Sequence, residues 1–191
     1  MSTTVFRDMG TTLKELLKDV AGLPGESAIE FKSPADMESL PSSPKLSIYL
    51  YQTMVNSHLR NIPPVPVNHD KLKYPPLILD LHYLFTPYAQ DRDAELMILE
   101  GVMQRFHDVA LLKGEQLKGN LLSYGNEEIR IVPNTLTLDD LNKLWSTFPN
   151  KPYKLSASYK TTAIGIPSAK PARDITRVVE VEVGVKTIER K

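Results

Sequence analysis

The 191-residue chain contains no cysteine. That excludes disulfides, a thiolate nucleophile, and Cys-ligated zinc or iron–sulfur centres. No apolar run approaches the roughly 18 residues of a transmembrane helix, so no membrane insertion is expected. The opening stretch, MSTTVFRDMGTTLKELLKDV, carries charges throughout and has no apolar h-region. The expectation is a product without a secretory signal, made and folded in the cytosol. Net charge is absent as well, with 23 Lys plus Arg balanced by 23 Asp plus Glu. Phosphate binding needs a basic excess or a basic stripe, so nucleic acid is not expected as the main partner. A neutral particle also has little self-repulsion, which tolerates assembly into larger objects.

Glycine is sparse, nine residues scattered along the chain, with no G-x-G-x-x-G and no P-loop. There is no G-x-S-x-G elbow, and the SYG at 123–125 lacks a strand–turn–helix setting. Histidine occurs four times, at His58, His69, His82 and His107. A zinc site wants three or four converging ligands, and Asp80-x-His82 is the only close pair. Asp139 and Asp140 sit at a helix start, where the helix dipole and capping account for them. No catalytic, cofactor-binding or metal residue is assigned, and the chain is read as a non-enzyme. The enzymatic alternative is a metal-dependent hydrolase centred on Asp80 and His82.

What is present is an ordinary globular composition, 41% hydrophobic and 24% charged, with 15 prolines and 8 tyrosines. A chain of this length buries about 70% of the surface its unfolded form exposes, so it needs no staple to fold. Apolar residues at three- and four-residue steps predict a helix over 3–21 (Phe6, Met9, Leu13, Leu16, Leu17, Val20). The same spacing predicts a second helix over 89–110 (Leu96, Leu99, Met103, Phe106, Ala110). A third is expected over 138–147, with Thr137 as N-cap, Asp140 closing a capping box, and Leu138, Leu141, Leu144 and Trp145 as its apolar face.

Strands are expected at 28–32, 45–55, 75–88, 128–133 and 153–167, the last bent at Gly165. In 45–55, Leu46, Ile48, Leu50 and Met54 share one face. In PPLILDLHYLFTPY (75–88), Leu77 through Phe85 form an apolar face meant for the helices. Asp80 and His82 stand about 7 Å apart on the opposite, less buried face. Between these two strands lies a proline-rich loop at 62–76, and loops that long inside a domain usually make contacts. Residues 167–174 read as a proline-spaced linker. Val179, Val181, Val183 and Val185 then alternate with Glu180, Glu182, Gly184 and Lys186 as a tethered strand. The chain thus divides into a body, 1–166, and a linker with a C-terminal strand arm, 167–191. The fold class is α/β in the α+β sense, a mixed, largely antiparallel sheet with about three helices.

Three stretches in combination resemble one family: SIYLYQTMVNSHLRN (47–61), PPLILDLHYLFTPYAQDRDAELMILEGVMQRFHD (75–108) and LNKLWSTFPNKPYKLSASY (141–159). Together they resemble the cap, or tail-terminator, proteins of phage-tail-like contractile injection systems, over roughly residues 3–166. The resemblance implies a structural subunit of a ring, a homohexamer, that closes the distal end of the inner tube and anchors the last sheath layer. Its implied partners are further copies of itself, the inner tube protein and the sheath protein. Assembly in a bacterial cytoplasm is implied too, in a particle either released or anchored in the cell. The family offers no catalytic residue to transfer.

Within that expectation, Arg60, Asn61, Lys71 and Lys73 are placed at the tube or at a neighbouring subunit. Val179, Val181, Val183 and Val185 are placed in a strand added to a neighbour or to sheath. The rival class is a stand-alone small protein-binding module that does not assemble.

Overall fold

The computed structural model describes residues 3–68 and 71–174. Helix α1, Val5–Leu17, leads through a short 3-10 turn to strand β1, Ile29–Glu30, and the long strand β2, Lys45–Val55. A hairpin of β3, Val65–Asn68, and β4, Lys71–Lys73, precedes the twelve-residue strand β5, Leu77–Tyr88. Helix α2, Arg92–Asp108, is followed by β6, Leu111–Lys113, and β7, Glu128–Pro133. Helix α3, Leu138–Trp145, β8, Ala157–Ile166, and β9, Arg173–Asp174, complete the described chain. Six strands form one sheet in the order β1-β2-β5-β8-β7-β6, antiparallel except for β1 on β2. The strands β3, β4 and β9 form a second, smaller sheet. This is the expected α+β architecture with a mixed, largely antiparallel sheet and three α-helices.

One face of the large sheet is covered by α1 and α2. Met9, Leu13 and Leu17 of α1 and Ile98, Val102 and Phe106 of α2 pack with Leu81, Tyr83 and Phe85 of β5 in a single core. At its centre Phe85, Phe106 and Tyr159 meet edge to face, with ring centroids 4.7–5.9 Å apart. Such geometry adds about 0.5–1.5 kcal/mol per pair beyond area burial.

The second face is buried as well, which corrects the expectation for β5. His82 is only 8% exposed, and Leu84 and Thr86 are fully covered. The cause is the stretch after α3: Phe148 meets Tyr49 edge-on at 5.7 Å and Trp145 at 5.4 Å, roofing the strand pair β2–β5. The face of Asp80 and His82 was expected to be the less buried one, whereas β5 is central and covered on both sides.

Other departures have local causes. A bulge between Leu50 and Gln52 reverses the alternation of β2, so Met54 pairs with Asp80 and is 49% exposed instead of following Leu50 inward. The irregularity in β8 falls at Ala163, whose φ is 64°, and not at Gly165. Helix α2 carries two apolar stripes. Ile98, Val102 and Phe106 enter the core, while the expected Leu96 and Met103 remain largely exposed. Phe6 and Leu138 are likewise exposed, and Leu77 emerges at the start of β5. The capping box on α3 is present, with Asp140 N–H donating to Thr137 Oγ1 at 3.1 Å and Thr137 N–H to Asp140 Oδ2 at 3.2 Å. The stretch expected as a 62–76 loop contains the β3–β4 hairpin, and the last two residues of the 167–174 linker pair with it as β9.

Candidate functional site

Asp80 and His82 face the same way from the middle of β5, and their surroundings are made of hydrogen-bond partners. Thr162 Oγ1 donates to Asp80 Oδ1 at 2.5 Å and Asn56 Nδ2 donates to the same oxygen at 2.9 Å. Lys160 Nζ stands 3.8 Å from Oδ2. Burial pushes the Asp80 carboxyl up, but the bonds from Thr162, Asn56 and the Ala163 N–H, with the Lys160 charge, outweigh it. The group is held below the ordinary carboxylate range.

This carboxylate explains two local features. Through Thr162 it fastens the β8 bulge, where Ala163 has a left-handed φ of 64°. It also fixes Asn56, whose Oδ1 accepts from the N–H groups of His58 and Leu59 at 3.0 and 3.1 Å. The result is an Asx turn that ends β2 and aims the chain into 57–61. His82 lies edge-on to Tyr51 at 6.1 Å, and its Nδ1 has no hydrogen-bond partner among the described residues. Burial and then Lys160 depress its pKa, while Asp80 raises it less. Among the described residues, no three His, Asp or Glu side chains converge to hold a metal. His69 lies outside the described residues. The arrangement can pin a turn and a bulge to a central strand.

Arg60 and Asn61 sit exposed in the turn that Asn56 anchors. Lys71 and Lys73 are exposed on one face of β4, with Leu72 between them facing the other way. The turn and the hairpin occupy the same end of the large sheet, because Val55 of β2 pairs with Leu79 near the start of β5. None of the three cations forms an ion pair with another described residue. The valines at 179, 181, 183 and 185 lie outside the described residues.

Residues that sequence reasoning missed are three asparagines. Besides Asn56, Asn126 is buried and bonds the backbone of Gly165 in both directions, at 2.6 and 3.1 Å. Asn134 Nδ2 donates to Tyr51 Oη at 2.8 Å and Ser158 Oγ at 3.1 Å, crossing from β7 toward β2. Their only signal in the sequence is position, each lying at the edge of a strand segment. Beside α2 there is also an apolar groove of about 820 Å³, lined by Leu96, Leu99, Met103, Ile131, Leu155 and Tyr159 among others.

A family model described as the Pvc16 N-terminal domain matches residues 8–180 of the chain. The chain belongs to that family. Its fold recurs in a cryo-EM structure of the sheath/tube terminator of PVC, an extracellular contractile injection system, in the extended state. That match has 20% identity and a TM-score of 0.67, covering 99% of this chain and 66% of the other. It recurs also in the tube terminating cap of the anti-feeding prophage, at 16% identity and a TM-score of 0.61, covering 97% of this chain and 62% of the other. The chain thus spans about two thirds of the length of these cap proteins. No curated protein matches it. The resemblance read in the three sequence stretches is borne out for family and fold.

Proposed function

We propose that this Pvc16 N-terminal-domain chain is a terminator-type structural subunit of a contractile injection particle. Copies form a ring, six in this reading, that closes the distal end of the inner tube and anchors the last layer of sheath. The observation that carries the proposal is the family match over residues 8–180, together with a shared fold across nearly the whole chain in two proteins described as terminator and cap. Head-to-tail contacts between identical subunits close by rotation, and a formally neutral surface does not oppose them.

In this reading the labour divides between body and arm. The body, 1–166, supplies the ring, with Arg60, Asn61, Lys71 and Lys73 facing the tube or the next subunit. The arm, 167–191, supplies a strand, with Val179, Val181, Val183 and Val185 seated on a neighbour or on sheath. A structural role fits Asp80 and His82, whose neighbours are donors and rings of the fold itself. The particle is assembled in a bacterial cytoplasm and is then either released or anchored in the cell.

The test is a two-dimensional class average of particle ends, with this protein labelled, alongside mass photometry of the purified chain. Ring density at the distal tube end, and a species near six times 21.5 kDa, are the expected results. A persistent 21.5 kDa monomer that ignores supplied tube ends would favour the stand-alone binding module instead.

A further inference from the structure

Among the described residues, the large sheet has one edge that is open over most of its length. Strand β1 covers only Leu46 and Ser47 of the eleven-residue β2, so among the described residues 48–55 are paired on one side alone. An unpaired strand edge presents a row of N–H and C=O groups that templates another strand. Proteins ordinarily blunt such edges with proline, charge or brevity. The other edges among the described residues follow that rule: β3 carries Pro66, and β6 is three residues long and ends in Lys113. Residues 48–55 read IYLYQTMV, with neither a proline nor a charge. Met54 and Val55 are 49% and 53% exposed there.

The C-terminal sequence supplies a strand pattern of matching length, TRVVEVEVGVK at 176–186. Where the chain leaves the described structure indicates which copy it reaches. Only residues 74–76 separate β4 from β5, so Lys73 is the end of β4 nearer the large sheet. Strand β9 runs antiparallel to β4, with Arg173 beside Leu72 and Asp174 beside Lys71. It therefore heads away from the large sheet, toward the tip of the hairpin. From 175 to 183 the sequence is ITRVVEVEV, without the Gly, Pro, Asn, Asp or Ser that make reversals. Over that stretch the sequence offers no reversal signal toward its own β2.

We infer that residues 177–186 of one copy add as a strand to the β2 edge, residues 48–55, of a second copy. The inference rests on the terminator reading for the ring that brings copies together. Main-chain pairing supplies the affinity, and alternate valines supply the fit. Glu180 and Glu182 of the added strand then give the uncharged edge the charge it lacks. Tail of one copy on edge of the next is a heterologous contact, the kind that closes a ring.

Because the chain has no cysteine, engineered thiols are the only ones present. A Thr53→Cys chain is mixed and oxidised with a differently tagged full chain carrying Val179→Cys, Val181→Cys or Val183→Cys. Each variant is first checked for an unchanged melting temperature. At least one mixture should yield a reducible heterodimer, and the matching double variant a reducible ladder. A shifted monomer from the double variant, or crosslinking only to another particle protein, would overturn the assignment. So would an absence of any crosslink while the unaltered protein forms rings, a result that leaves the terminator reading standing. A protein that neither assembles nor binds tube ends removes that reading itself. Deleting 175–191 should weaken self-association at least tenfold, and unchanged assembly by that variant also overturns the inference.

Discussion

Asp80 gathers donors from two distant places at once: Asn56 after β2 and Thr162 in β8. Removing it leaves buried donors without an acceptor, which costs roughly 1–3 kcal/mol. Asp80→Ala should lower the unfolding free energy from urea titration by that amount, and Asp80→Asn, which keeps one acceptor oxygen, by less. A neutral result for both would show that the carboxylate holds nothing. The pH dependence follows from the signs. Asp80 is depressed in the fold, so its contribution is present above the ordinary carboxylate range and is lost as pH falls through its lowered value. His82 is depressed as well, so the unfolded chain takes up a proton first as pH drops below about 6.5, and stability falls from there. The melting temperature should be level above neutral pH, decline below it, and decline again in strong acid. His82→Gln should flatten the first decline alone. The sequence already showed that these two side chains share a face. It did not show their partners, because the Asn56 and Thr162 contacts span 24 and 82 residues of chain.

Helices and strands with a long period were legible because their pattern is set by one buried face: α1, α2, α3, β2, β5, β7 and β8 all lie near their expected positions. What escaped were elements too short for a period. Strands β3, β4 and β6 have three or four residues each and exist only through their partners. The covering of the second face of β5 escaped for the same reason, since Phe148 reaches Tyr49 from an irregular stretch. The 114–126 connection was unreadable too, yet it is tied firmly to α1. Asp8 Oδ2 accepts from Asn120 N–H and Thr12 Oγ1 from Lys118 N–H, both at 3.0 Å. Gly119 between them has φ of 65°, and a Cβ there would lie 2.4 Å from Asp8 Cγ. Gly119→Ala should therefore cost about 1–3 kcal/mol, through strain and the displaced Asp8. Hydrogen exchange should show the loss first at residues 118–126. An unchanged midpoint and exchange pattern would mean that the loop carries no share of the fold's stability.

At the scale of the whole molecule, the exposed lysines of β4 separate an assembly role from a folding role. Lys71 and Lys73 stand on one face of a short strand, exposed and without ion pairs to other described residues, so reversing their charge disturbs no packing. Surface charges of this kind each contribute under about 1 kcal/mol to stability. At an interface, a like-charge juxtaposition is more costly than a lost contact, and it is screened by salt. If the hairpin meets the tube or the next subunit, Lys71→Glu with Lys73→Glu should weaken binding to tube ends by roughly tenfold, about 1.4 kcal/mol. The melting temperature should not move, and the deficit should narrow as ionic strength rises. Arg60→Glu, on the turn at the same end of the sheet, should act in the same direction. Binding of labelled protein to purified tubes at low and high salt measures both variants. Wild-type binding by the double lysine variant would place the hairpin on the solvent side of the ring and leave the tube contact to other surfaces of the body.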